Sequence, residues 1–241
     1  MPTVTIAQAT VQITAAPAPV LFPDTCALVD LVRLPIRKDG PTVTRELLAA
    51  RALLAAATAD PTGLWVVVPP RVPAEWDEHA PEAAALLASS WSKMDEACAT
   101  TGAAAAAMGV AALPPESLEA TFDPVRQSLS RLSRGFLEVG VRLASDSPCD
   151  SAAFRRACDG VAPGHRGGSI KDCVIAEHVL AVSRLLGSGF AHPRVLLTSN
   201  TKDFCVAKDN TAPRPPLDDD LMAVQTSLTT TWEWAKSTLG V

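Results

Sequence analysis

Three short apolar runs constrain this chain more than any other feature: Ala18 to Pro23 (APVLFP), Leu64 to Val68 (LWVVV) and Val195 to Thr198 (VLLT). Each is too short for a helix, and each stops at a turn bearing proline, threonine or a carboxylate. Unbroken apolar runs of this length read as strands buried on both faces, the situation of a parallel sheet covered by helices. The intervening residues agree. Thr44 to Thr58 is rich in strong helix formers behind Thr44, the expected N-cap, and stops before Asp60-Pro61. Pro73, Glu75, Asp77 and Glu78 read as the first turn of a helix behind Pro69-Pro70, and residues 82 to 145 read as helical throughout. Within that stretch Leu118, Phe122, Val125, Leu129, Leu132, Phe136 and Val139 recur at alternating spacings of four and three. That period predicts a long amphipathic helix paired with the helix around 82 to 98. A further helix is expected over 170 to 186, after a glycine-rich loop at 160 to 169. The pattern predicts an α/β fold with a central parallel sheet and helices on both faces.

Weaker signals fill in the ends. Residues 3 to 14 (TVTIAQATVQIT) are β-branched and are expected to add an edge strand; Phe204 to Ala207 is expected to begin another short strand. Residues 211 to 220 (TAPRPPLDDD) read as a linker, and a helix with Trp232 and Trp234 near its end follows. The expected organisation is one domain over 1 to 210, with a helical insertion over about 82 to 165, and a linker and helix over 211 to 241 packing on it.

With 241 residues and 48% hydrophobic content the chain can bury a sizeable core. Its net charge of −5 gives no global basic field, so any nucleic-acid contact has to rest on local arginines and lysines. The first 20 residues lack a basic n-region before an apolar stretch, which predicts a cytoplasmic protein. The uncharged run Ala97 to Leu113 is mostly alanine and glycine, too weakly hydrophobic to span a bilayer. The six cysteines form no CxxC pair and the four histidines no HExxH or HxH pattern, which disfavours zinc chemistry and predicts reduced, buried thiols. No GxSxG elbow supports a serine nucleophile.

Four acids stand out by position: Asp24 after the first strand, Glu75 after the second, Asp172 opening a helix, and Asp203 after the third. Taken singly, each is more often a cap or turn residue than a functional one. Gathered at the carboxyl ends of parallel strands, where the crevice of an open α/β sheet lies, they repel one another unless a cation sits between them. Such a cluster suits an oxygen-only site for Mg²⁺ or Mn²⁺. Glu177 is a further, supporting candidate: five residues beyond Asp172 and so rotated by about 140° on a helix, it joins Asp172 at one ion only if the helix N-terminus is close, and otherwise reads as solvent-facing, as does Glu46. Asp218 to Asp220 read as part of a solvated tail.

The ordered set Phe22-Pro23-Asp24-Thr25, Val66-Val67-Val68-Pro69 with Val72 and Glu75, Ser169 to Ile175, and Leu197 to Phe204 resembles that of PIN-domain proteins, from the PIN-like superfamily of metal-dependent nucleases. The resemblance spans residues 18 to 208, and the Thr198 to Phe204 segment is its most distinctive piece. It implies a three-layer α/β/α sandwich, one or two divalent ions, and cleavage of RNA, often single-stranded. It carries metal-site roles onto Asp24, Glu75, Asp172 and Asp203. Asn200 stands where many relatives place an acid, so either Asn200 or Asp203 is the ligand expected after the third strand. The long helical stretch points to the larger PIN-like branch.

Thr25, Thr198 and Ser199 are expected to orient water or a carboxylate, and Lys171, Lys202 and Arg166 to meet substrate phosphates. An RNA substrate is expected; an antitoxin-like protein or a second copy of the chain are the partners left open. The rival reading is a catalytically silent binding or scaffold module, which the absence of tyrosine for base stacking fits equally well. A phospho-acceptor site built on Asp24, Thr198 and Lys202 ranks last, because it gives Glu75 and Asp172 no task.

Overall fold

The computed structural model of the chain describes residues 2–59, 63–109, 119–165, 170–207 and 210–241. In chain order its elements are α1 (Ile6–Ala15), β1 (Val20–Pro23), α2 (Thr25–Arg33), a 3-10 turn (Leu34–Ile36), α3 (Gly40–Ala57), β2 (Trp65–Val68), α4 (Val72–Ala107), α5 (Glu119–Val139) and β3 (Val141–Arg142). Then follow α6 (Ser147–Cys158), α7 (Ile170–Leu186), β4 (Arg194–Leu197), α8 (Thr201–Phe204), β5 (Cys205–Ala207), β6 (Asn210–Pro213), α9 (Leu217–Ala223), β7 (Thr226–Thr229) and α10 (Trp232–Leu239). Five strands form one parallel sheet in the order β3-β2-β1-β4-β7, and β5 and β6 form a separate antiparallel pair.

The three apolar runs are the centre of this sheet, and every residue of β1 and β4 is buried. Helices α1 and α6 each pack on α7, and α2, α3, α4, α5 and α10 form a second connected group. Helices flank the sheet on both sides, in three layers, as the right-handed rule for parallel crossovers requires of a chain that winds first one way and then the other. The chain steps outward from β1 through β2 to β3, then returns to β4 beside β1 and steps the other way to β7. The direction of winding therefore reverses between β1 and β4. The loops leaving the two strands diverge there and open a crevice at their carboxyl ends.

The expected pairing of the long helices is present: Trp91 on α4 stacks on Phe122 of α5, with ring centroids 4.5 Å apart. Deeper along the same seam the buried Ser133 hydroxyl accepts the Trp76 indole N–H at 2.8 Å and donates to the Leu28 carbonyl at 2.7 Å, tying α5 to α4 and α2.

Several local expectations are corrected. Residues 6 to 15 are a helix, not an edge strand. Thr5 and Gln8 form a capping box, and Ile6, Ala9, Thr10 and Ile13 bury one helical face, so helical period and a cap outweigh β-branched composition. Helix α3 starts four residues before Thr44, because Asp39 accepts the Thr42 N–H at 2.8 Å and Pro41 suits a first turn. The Asp60-Pro61 stop and Leu118 lie outside the described residues.

The stretch 82 to 145 contains a short strand, β3, set by pairing with β2, and not helix alone. The supposed linker holds β6 and the start of α9. The Thr-rich β7 pairs with β4, and Trp232 and Trp234 open α10 rather than close it. Cys98 and Cys158 are exposed, Cys26 is half-buried, and only Cys149, Cys173 and Cys205 match the expected buried thiols. Among the described residues no helix is long and apolar enough to cross a membrane.

The turn from α5 into β3 depends on Gly140. A β-carbon there would stand 2.5 Å from Val68 Cγ2 and 2.8 Å from the Phe136 carbonyl oxygen. Gly140→Ala is expected to destabilise the protein by roughly 1–3 kcal/mol through overpacking. Urea unfolding checks this as a lower midpoint at unchanged slope; an unchanged midpoint would mean that the helix end moves aside freely.

Candidate functional site

The crevice at the reversal point receives its polar groups from four places. Asp24 is the residue at which β1 ends and α2 begins. Its N–H donates to the Leu197 carbonyl at 2.8 Å, holding it against the end of β4, and its side chain is not spent on capping α2. Asp24 is 1% exposed. The Thr198 hydroxyl, just past β4, donates to Asp24 Oδ2 at 2.5 Å and in turn accepts the Asn200 N–H at 3.0 Å. Glu75 stands in the first turn of α4, buried, and its Oε2 accepts from the Thr25 hydroxyl at 2.9 Å. Asp172, in the first turn of α7, is also buried, and its Oδ2 accepts from Asn200 Nδ2 at 3.3 Å. Residues far apart in sequence thus form one hydrogen-bonded constellation around Asp24.

Among the described residues the carboxylates here outnumber the cations beside them. Burial foremost, and then the nearby negative charges of Asp172 and Glu75, push the Asp24 carboxyl up to about 7, against the opposing hydrogen bonds from Thr198 and Thr25. The half-buried Cys26 thiol is raised as well, by burial first and then by Asp24, Asp172, Asp30 and Glu75, so it is held protonated and is no nucleophile. Two carboxylate oxygens in this region, Asp24 Oδ1 and Glu75 Oε1, are buried without a hydrogen-bond partner. Lys171 Nζ approaches Glu75 Oε1 only to 3.9 Å, a loose ion pair made by a side chain 42% exposed. It does not take the place of a hydrogen bond.

An oxygen-only, anionic donor set with two orphaned oxygens has the chemistry of a hard divalent cation site. The oxygens are not gathered in advance: among the described residues no three His, Cys, Asp or Glu side chains stand together as an ion-holding group. Thr25, Thr198 and Asn200 hold the acids through separate hydrogen bonds.

The other expected residues fall into distinct positions. Asp203 lies half-buried in α8, and among the described residues no bond joins its carboxylate to Asp24, Glu75 or Asp172; of the two candidates after the third strand, Asn200 is the one that reaches the cluster. Glu177 is neither solvent-facing nor part of the cluster. It is buried and paired with Arg156 at 2.7 Å, and Arg156 also binds Asp220 at 2.6 Å.

Asp220 therefore belongs to an internal ion triad rather than a solvated tail. Glu46 is buried too, accepting the Trp232 N–H at 2.7 Å and so capping α10. Asp77 and Glu78 are exposed, and so is Lys202. Arg33 and Arg37 are committed to Asp30 at 2.7 and 2.6 Å. Arg166 and Ser169 lie outside the described residues. Arg156 and Arg214 carried no sequence signal, since an isolated arginine reads as a surface charge.

No protein-family model, curated protein or solved structure matches the chain.

Proposed function

We propose that the chain is a divalent-metal-dependent ribonuclease of PIN-like kind that hydrolyses phosphodiester bonds in single-stranded RNA. The observation that carries this reading is that three buried carboxylates from separate elements lie within electrostatic reach of one another at the sheet's reversal point, with two of their oxygens unpartnered. Asp24, Asp172 and Glu75 would hold Mg²⁺ or Mn²⁺, with Asn200 beside them; when bound, the ion supplies an activated water and neutralises charge on the phosphate. The chain's own groups do the rest. Thr198 and Thr25 each fix one oxygen of Asp24 and Glu75 and leave the other uncommitted. With its carboxyl near 7, Asp24 is poised to hold or release a proton at neutral pH. Lys171, at the edge of the cluster, is placed to meet a phosphate oxygen.

One observation favours the silent module instead: among the described residues the acids are not gathered into an ion-holding group. Incubation of the purified protein with a labelled single-stranded RNA and Mn²⁺ or Mg²⁺ separates the two readings. Cleavage that EDTA stops, and that Asp172→Asn lowers at least roughly 100-fold without changing the far-UV spectrum, supports the nuclease. Absent cleavage together with no heat of Mn²⁺ binding in calorimetry supports the module. An antitoxin-like partner and a homodimer belong to the same proposal, and the mass of the protein in solution, alone and in its host's lysate, decides between them.

A further inference from the structure

On the β4 side of the acid cluster lies a pocket of about 420 Å³, walled by Asn200, Thr201 and Lys202 on one side and by Val206, Ala207 and Arg214 on the other. Three features distinguish it from an ordinary surface hollow. It shares Asn200 with the cluster, whose side-chain amide is bonded to Asp172 and whose N–H is bonded to Thr198. Its far wall belongs to the β5–β6 pair and the residue that follows it, a piece of structure added outside the central sheet. Both of its cations are uncommitted to acids. Lys202 is exposed and has no ion pair among the described residues, and Arg214 spends its Nε and Nη2 on the carbonyls of Cys205 and Val206, at 3.2 and 2.9 Å, with no carboxylate partner among the described residues. In a chain of net charge −5, two unpaired cations facing one pocket beside a carboxylate cluster make a local site of opposite sign. The volume suits one nucleotide, and Val206 and Ala207, both exposed, offer an apolar surface to a sugar or base.

We infer that this pocket holds the nucleotide next to the scissile phosphodiester, with Lys202 and Arg214 contacting its phosphate, so that the β5–β6 pair acts as a substrate-gripping arm. The inference rests on the nuclease reading for its choice of RNA as ligand. It predicts that the strand crosses the crevice from the acids toward β5 and β6.

The test is binding of a fluorescein-labelled single-stranded RNA decamer to the full chain in EDTA, followed by anisotropy from 50 to 300 mM KCl, so that cleavage plays no part. Lys202→Glu is expected to weaken binding roughly tenfold at low salt and to lower the salt slope by about 0.7, the loss of one phosphate contact. Arg214→Gln should do the same. Because Arg214 also braces the chain after β5, Arg214→Lys, which keeps the charge, separates lost contact from lost structure by restoring most of the affinity.

Lys93→Glu, on the exposed face of α4 about 30 Å along the helix from its start, is the control and should leave both quantities unchanged. Equal losses at Lys93 and Lys202, or no loss at Lys202, overturn the pocket. Cleavage by wild type in Mn²⁺ with unaltered binding by Lys202→Glu would sink the pocket and leave the nuclease standing. Loss of binding in Lys202→Glu without any cleavage by wild type would sink the nuclease, and with it the pocket's place beside a scissile bond, and leave only an RNA-binding pocket.

Discussion

Asp24→Asn should lower metal-dependent RNA cleavage by at least roughly 100-fold and, in the same protein, raise stability at alkaline pH. The two effects have one cause. Asp24 is buried beside Asp172 and Glu75, and its folded-state pKa is raised from 3.8 to about 7. Between those values the folded protein binds a proton that the unfolded chain has released. Stability therefore declines as pH rises from about 4 to 7 and is then constant, the opposite of a salt-bridged carboxylate. The buried negative charge costs roughly a few kcal/mol when fully formed.

Asparagine carries no charge, so the variant's melting temperature should exceed that of wild type at pH 8, match it near pH 4, and vary little between. Mn²⁺ should recover the deficit in wild type by binding only the folded state, and should have little effect on the variant. Thermal melts from pH 4 to 8, with and without Mn²⁺, measure this. A wild type whose stability climbs through that window would show that Asp24 is already compensated, and the argument for a cation would fail with it.

Arg156→Met should destabilise the fold by about 3 kcal/mol, the largest effect expected from a single residue outside the crevice. Arg156 and Glu177 are both 9% exposed at the side chain and meet at 2.7 Å, while the Arg156 guanidinium also donates to the Ala162 carbonyl at 2.8 Å and to Asp220 at 2.6 Å. It joins α6, α7 and α9. Methionine fills most of the space but strands the Glu177 carboxylate, and this stranded charge is the main source of the loss. Asp220, at 30% exposure, is partly solvated and contributes less. Arg156→Met combined with Glu177→Leu should therefore recover much of the stability, which urea midpoints for the two proteins would reveal. A double variant no better than the single one would place the loss in the Ala162 contact instead. Because α7 also carries Asp172, the single variant is expected to blunt any metal-dependent stabilisation as well.

The parallel sheet was legible because its strands are apolar on both faces. Val20 to Phe22, Val66 to Val68 and Val195 to Leu197 need no partner sequence to announce that they are buried. β3 and β7 were not legible. Val141 and Arg142 are half-buried and only two residues long, and β7 has the sequence TSLT, so both exist because an adjacent strand supplies their hydrogen bonds. The helix at 6 to 15 is β-branched in composition but helical in period, and the period prevails. Its capping box, Thr5 with Gln8, was present in the sequence throughout.

Within the crevice, Asp24, Glu75 and Asp172 were identifiable from their places after strands and at a helix start. That Asn200, and not Asp203, bonds to Asp172 was not. Which of two residues three positions apart reaches a neighbour depends on the turn of α8, a property of the folded loop.

By itself, then, the amino-acid order determined which segments are buried and which ends of those segments carry carboxylates, since side-chain polarity and spacing are local quantities. The tertiary structure alone decided the partners: that Glu177 meets the Arg156 guanidinium, that Glu46 caps α10, and that Thr198 rather than an arginine faces Asp24. A carboxylate looks the same in sequence whether it is neutralised, hydrogen-bonded or left bare. Only its surroundings, assembled from residues up to 186 positions away in the case of Glu46 and Trp232, fix its charge and therefore its chemistry.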